Sequence, residues 1–172
     1  MSKDGIPVHG AVTKEQRETA GSRSRGNQVF HYPANTGQIG ATAGFDLAND
    51  TGTATVPASQ TASTLTIPIT NLKAGDVITA FKVSGQIESG GNIGTVDADL
   101  RATTAAAADL TDASIGAIDQ VSETADAIVS ASKTGLTHTV IAGNSYYVLV
   151  TVTTGVAVDL DLQGVEVTVT EK

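Results

Sequence analysis

The chain has no cysteine and no tryptophan, and aromatic residues make up 3% of its 172 positions. Without cysteine there is neither a disulfide framework nor a thiolate metal site, and the redox compartment cannot be read from the sequence. With so few rings, a core must be built from Val, Ile, Leu and Ala. No run of eighteen apolar residues occurs, so no helical membrane span is expected. The opening residues, MSKDGIPVHGAVTKEQ, carry no apolar h-region and are expected not to act as a secretory signal.

Catalytic signatures are also missing. A hydrolase nucleophile elbow needs Gly-x-Ser-x-Gly because larger neighbours do not fit its tight turn, and none is present. There is no P-loop, and no Gly-x-Gly-x-x-Gly follows a strand. His9, His31 and His138 are far apart, whereas zinc sites show at least one pair at close ligand spacing. Ser89 lies before Gly90-Gly91 and Ser145 follows Gly143-Asn144, and both read as turn residues.

What remains is a chain long enough for one domain that buries well over half of its unfolded surface. Its charge is unevenly spread. Residues 1–33 hold five basic residues (Lys3, Lys14, Arg17, Arg23, Arg25) and three acidic ones (Asp4, Glu15, Glu18), a formal +2. The whole chain is −8, which leaves −10 on residues 34–172. A basic arm on an acidic body suits a tail that seeks an acidic partner, or one whose charge only keeps it soluble.

Three textures follow one another. Residues 1–33 are polar with scattered apolar anchors; Thr13-Lys14-Glu15-Gln16 has capping-box form, allowing a short helix over about 14–20. This arm cannot bury a face by itself and needs a partner to be ordered. Residues 34–62, rich in Gly, Ala, Thr, Asn and Ser, read as a linker or strap, with a short strand near Thr53–Val56. Residues 63–172 carry the strands.

There, Leu65, Ile67 and Ile69 alternate with Thr64, Thr66, Pro68 and Thr70, the period of a half-buried strand. Pro68 lacks an N–H and places this strand at an edge or bulge. Residues 77–88 put Val77, Thr79, Phe81, Val83, Gly85 and Ile87 on one face, and Ser89-Gly90-Gly91-Asn92 supplies a hairpin loop. Residues 94–103 send Val96, Ala98, Leu100 and Ala102 inward and Asp97, Asp99 and Arg101 outward. Together these predict a β-meander. Residues 104–125 are ambiguous between a helical turn and an irregular crossover, with Ile115, Ile118 and Val121 spaced by three. Further strands follow at 127–131, 135–141, 146–154 (apolar on both faces, hence central), 156–162 and 164–170. Such short strands, with turns every 8–12 residues, predict an all-β antiparallel sandwich or jelly roll with an extended N-terminal arm.

Two carboxylate pairs stand out, Asp97/Asp99 and Asp159/Asp161. Adjoining strands could turn them into a Ca²⁺ site or a glycosidase pair, but the latter needs an aromatic-lined cleft. The plainer reading is a solvated negative sheet face that resists edge pairing. No catalytic residue, metal or cofactor is expected. Nucleic acid is not expected either, because a −10 body repels it. Asn49-Asp50-Thr51 matches the glycosylation sequon, a pattern short enough to arise by chance.

The C-terminal segment LTHTVIAGNSYYVLVTVTTGVAVDLDLQGVEVTVTEK resembles the closing hairpins of β-rich virion proteins of tailed bacteriophages, of the capsid decoration or cement type. The likeness rests on the Gly-Asn-Ser turn into Tyr146-Tyr147, the Val/Thr strand, and the closing Gly-Val-Glu-Val-Thr-Val-Thr. It covers about a quarter of the chain and transfers no functional residue. It implies a non-enzymatic structural protein on the capsid surface, assembled in the host cytoplasm, forming a homo-oligomer (a trimer) and clasping major capsid subunits through its arm. Ile6, Val8, Val12, Val29, Phe30 and Tyr32 are the expected apolar contacts, with Arg17, Arg23 and Arg25 pairing to carboxylates. Alternatives are a tail, collar or head-fibre base protein, and a glycan-binding surface module. The last predicts a surface aromatic patch, which the low aromatic content argues against.

Overall fold

A computed structural model describes residues 26–40, 44–105 and 109–172. Ile6, Val8, Val12, Arg17, Arg23, Arg25 and the helix expected over 14–20 lie outside the described residues. Among the described residues, eleven strands and one 3-10 turn (Ala34–Thr36) follow in order: β1 (Asn27–Pro33), β2 (Gln38–Ile39), β3 (Asp46–Ala48), β4 (Thr53–Val56), β5 (Ser63–Ile69), β6 (Val77–Ser89), β7 (Gly94–Ala105), β8 (Leu110–Glu123), β9 (Ala127–Thr139), β10 (Ser145–Thr154) and β11 (Val158–Thr170). Among the described residues no helix is long and apolar enough to cross a membrane.

The strands form two antiparallel sheets. One runs β3-β4-β11-β6-β9, with β1 also on β11; the other runs β2-β5-β10-β7-β8. The expected sandwich is present, and β10 is central as its apolar sequence predicts, held between β5 and β7. The inner faces interlock Leu65, Ile67, Leu100, Val148 and Val150 of one sheet with Phe81, Val83, Ile87, Leu160 and Val167 of the other, all at most 1% exposed. Burying side chains of this size contributes about 1.5–3 kcal/mol each, before the entropy of ordering them.

The meander expected over 63–103 does not form. β5, β6 and β7 do not pair with one another; β5 lies against β10, β6 between β11 and β9, and β7 between β10 and β8. The Ser89–Asn92 turn therefore crosses between sheets and is no hairpin. Alternation shows that a strand has one buried face, and two facing sheets meet that demand as well as neighbouring strands do.

The ambiguous segment is also strand. β8 pairs with β7, and two bulges explain its misleading period: the register steps from Val121–Val96 to Ile118–Ala98, then from Gly116–Leu100 to Ser114–Arg101. Each bulge adds one residue to β8, so Ile118 and Val121 pack on the core although three residues apart. A bulge corrects the reading of β6 as well. Ile78 is fully buried while Val77 and Thr79 are only half-buried, because the register slips between Ile78 and Ala80. In β9, residues 135–137 have no partner at this slip, and Leu136 swings over β8. There it lies so close to Gly116 that a Cβ at that glycine would sit 2.8 Å from Leu136 Cδ2. The bulged β9 thus caps the side of the sandwich where both sheets end.

Part of the expected arm belongs to the body. Residues 27–33 are a strand paired with 164–170, and β2, β3 and β4 fold the 34–62 strap onto the same two sheets. These pieces are too short to show a period, and they gain order by adding to strands already formed.

Phe81 is the largest fully buried side chain, so Phe81→Ala should lower the free energy of unfolding by about 3–5 kcal/mol, read as a shifted denaturation midpoint at unchanged m. A chain beginning at Ala34 should be less stable than one beginning at Gly26 by about 3 kcal/mol or more, since it loses β1 and the buried Tyr32. Equal stabilities would mean that β1 is dispensable.

Candidate functional site

Alternation decides which side chains leave the core, and the outer faces of the two sheets differ in chemistry. On the five-stranded sheet, the half-buried Tyr147 of β10 sits between Pro68 of β5 and Arg101 of β7. Across the next strand boundary, Arg101 donates from Nε to Asp112 Oδ2 of β8 at 2.9 Å, and its Nη1 bonds Asp99 of its own strand. Ser114 Oγ donates to the other oxygen of Asp99 at 2.5 Å. Four strands thus place a proline, an aromatic ring, a guanidinium and two carboxylates in one band across the face. Side-chain entropy has already been spent on holding them there.

The electrostatics follow from these contacts. The Asp112 carboxyl is held below its usual range, chiefly by a hydrogen bond from Tyr147, with Arg101 and Thr103 adding to the effect and desolvation opposing it. Arg101 is made harder to deprotonate, first by Asp112 and then by Asp99. Burial pushes the Tyr147 hydroxyl up, and its bond to Asp112 pushes it further. Along the strand from this band, Asp97 is raised by burial and then by the charge of Asp119.

Of the residues expected to touch a partner, Val29, Phe30 and Tyr32 are described, and all three lie on β1. Val29 is 47% exposed. Phe30 packs partly against the core, and Tyr32 is buried there, its hydroxyl bonded to the carbonyl of Thr70. The apolar surfaces of Phe30 and Tyr32 are therefore used inside the sandwich, which alternation along β1 requires once that strand joins β11. Asp97 and Asp99 lie on the outer face of one sheet, Asp159 and Asp161 on the outer face of the other. The two pairs are separated by the core and do not meet as an acid–base couple. Asp161 accepts instead from Thr55 Oγ1 at 2.6 Å, tying β4 to β11. His138 stacks edge-on against Tyr146, with ring centroids 5.6 Å apart, and burial lowers its pKa. His31 lies on β1 beside Glu166, so the two described histidines do not converge. Among the described residues no group of three or more metal-ligating side chains gathers.

Sequence reading placed Asp99 and Arg101 outward but missed the band. Its other half, Asp112 and Ser114, lies on β8, whose bulges hid the strand. Tyr147 was noted as part of a strand and of the virion-protein resemblance, and not as a site residue.

No protein-family model and no curated protein matches the sequence. Among solved structures, the chain is similar to the CBM36-1 domain of a multidomain xylanase from the hindgut metagenome of Trinervitermes trinervoides. The two are 12% identical over 83% of this chain and 96% of that one, with a TM-score of 0.48. It is also similar to a carbohydrate-binding module CBM36 in complex with calcium and xylotriose, at 14% identity over 81% and 98% of the chains and a TM-score of 0.49. A third is the enzymatically active domain of tailspike protein 4 of bacteriophage CBA120, at 13% identity over 84% of this chain and 19% of that one, with a TM-score of 0.33. At these scores the likenesses add nothing to what the strand pairing establishes.

Two carboxylates on this sheet face should respond to pH with opposite signs. Asp112 has a depressed pKa, so the stability it contributes is present above its ordinary value of 3.8 and is lost as pH falls through its lower folded value. Asp112→Asn should therefore lower Tm at pH 7 and flatten the acid limb. Asp97 has a raised pKa, so its contribution is full below 3.8 and is lost as pH rises through the folded value. Asp97→Asn should leave Tm at pH 7 unchanged or higher, with no gain in strong acid. Melting curves of both variants from pH 2 to 7 check the pair.

Proposed function

We propose that this chain is a non-catalytic recognition module that binds carbohydrate on the outer face of its five-stranded sheet, centred on Tyr147. The observation that carries the reading is the band itself: Tyr147 in register between Pro68 and Arg101, with Arg101 fixed by Asp112 and Asp99. A sugar ring offers an apolar C–H face and a rim of hydroxyls. The first calls for an aromatic or prolyl surface, and the second for fixed planar donors and acceptors at its edge. Pro68 and Tyr147 supply the surface; Arg101, Asp99 and Asp112 supply the rim. Nothing in this band activates a nucleophile, because Arg101 stays protonated and its carboxylate partners are bonded to it. The low aromatic content remains consistent with a site built around one ring.

A second reading is favoured by a separate observation. Residues 1–25 carry +2 against −10 on the rest, the charge split of a segment that docks on an acidic protein surface. It supports a virion structural protein, of capsid decoration type or at the tail, collar or fibre base, tethered through Arg17, Arg23 and Arg25. A module anchored to a particle with its Tyr147 face outward satisfies both readings.

Affinity electrophoresis of the full chain through gels containing xylan, β-glucan, galactan or a bacterial surface polysaccharide tests the first. At least one glycan should retard the wild type, and Tyr147→Ala should reduce the association constant by roughly tenfold or more, a loss of about 1.4 kcal/mol. No retardation in any gel, or equal retardation of Tyr147→Ala, would refute carbohydrate binding at this face. For the second reading, a chain lacking residues 1–25 should fail to bind tailed-phage capsids that the full chain decorates; undiminished binding removes it.

A further inference from the structure

The six-stranded sheet has an edge unlike the others. β11 changes partner midway: β1 pairs as far as Gly164, β4 takes over at Leu162, and Gln163 between them has no cross-strand partner on that side. It has none on β6 either, where the register slips from Leu162–Gly85 to Gly164–Ser84. The divergence of β1 from β4 opens a cleft with Tyr32 and Pro33 on one side and Thr51 and Gly52 on the other. β1 thus has β11 along one edge and, among the described residues, no strand along the other.

An open edge is a template for another strand, and proteins blunt it with charge, bulges or shortness. The other edges show these devices. β8 carries Asp112, Asp119 and Glu123 and is bulged twice; β9 carries Lys133 and breaks its pairing at 135–137. β2 has two residues, and β3 has three, beginning with Asp46. β1 has seven, Asn27-Gln28-Val29-Phe30-His31-Tyr32-Pro33, in unbroken register and without a carboxylate, lysine or arginine. Only Pro33, at its end, has no N–H to offer. Asn27, Gln28, Val29 and His31 are all exposed.

The charges flanking this edge select its occupant. In the sequence, Arg23 and Arg25 come just before its first residue. The Lys73–Glu171 pair beside that end adds no net charge. At the other end the β3–β4 turn lies against Pro33, a Cβ at Gly52 standing 3.9 Å from the Pro33 Cβ, and Asp50 of that turn is exposed. Asp46 and Asp161 lie behind it, both opposite Thr55 of β4. One end of the edge is basic and the other acidic. A second copy lying antiparallel sets each basic end against an acidic one, whereas a parallel copy sets like against like. We propose that β1 is a dimerisation edge, two copies pairing antiparallel through residues 27–32 so that their six-stranded sheets become continuous. Directly opposed residues share a face of the sheet, so the two-fold axis passes at Val29 or at Phe30. This assembly differs from the trimer that the virion-protein resemblance implies. It leaves the Tyr147 face open and does not depend on the reading of that face.

Sedimentation equilibrium of the full chain from about 1 μM to about 1 mM reads the assembly, and a monomer–dimer equilibrium is expected. Val29→Lys sets two like charges beside the axis and should raise the dimer Kd roughly tenfold or more, with Tm unchanged in dilute solution where both proteins are monomeric. Arg23→Glu together with Arg25→Glu should weaken the dimer likewise, and adding Asp50→Arg should restore it. Amide-resolved hydrogen exchange needs no variant: every second amide of residues 27–32, the set turned away from β11, should gain protection as concentration rises. The proposal is overturned by a monomer throughout that range, by a trimer, or by a Kd that Val29→Lys leaves unchanged. It is overturned equally if Asp50→Arg does not restore the charge-reversed chain, or if exchange at those amides ignores concentration.

Discussion

The six-stranded sheet depends on the backbone of β11, which pairs along one edge with β6 and along the other with β4 and then β1. A straight strand has one register with each neighbour. Serving two successive partners on one edge requires a break, and the bulge at Gln163–Gly164 supplies it. The close approach of Tyr32 and Pro33 to Gly164 leaves no room for a side chain there. From this local constraint follow the joining of residues 27–33 to the body and the cleft between β1 and β4.

The second sheet is organised by burial. β10 alternates Val148, Val150 and Val152 toward the core with Tyr147, Leu149 and Thr151 away from it. With a core built almost wholly of aliphatic side chains, stability comes from many moderate contributions spread over both sheets. Tyr147 is thereby free to face outward. Arg101 takes one carboxylate, Asp99, from its own strand. Its second carboxylate comes from β8, brought alongside by the bulged hairpin with β7. Bulges therefore shape both faces: those of β8 align the Arg101 band, and that of β11 opens the cleft.

The strands from 63 onward were legible because most alternate cleanly, and inward and outward residues of β7 and the second half of β11 fall where alternation puts them. Failures cluster where a bulge adds a residue. In β8 it turned a period of two into an apparent period of three, and in β6 it moved the buried position from Thr79 to Ile78. Sheet membership was illegible throughout, since β5, β6 and β7 read locally as consecutive neighbours yet belong alternately to opposite sheets. Of the polar band, Asp99 and Arg101 could be assigned to an outer face, whereas their partners Asp112 and Ser114 could not be placed at all.

The amino-acid sequence by itself determined the all-β class, the aliphatic core, the separation of charge between the first residues and the rest, and the central place of β10. Each of these rests on local periodicity or on composition, which near neighbours in the chain are enough to reveal. Only the tertiary structure decided which strands share a sheet, that β1 belongs to the body, that the two aspartate pairs face away from each other, and that Tyr147 meets Arg101 and Asp112. Those relations join residues far apart in the chain through backbone pairing and packing. A one-residue slip in register reassigns every side chain beyond it, and nothing short of the paired strand records that slip.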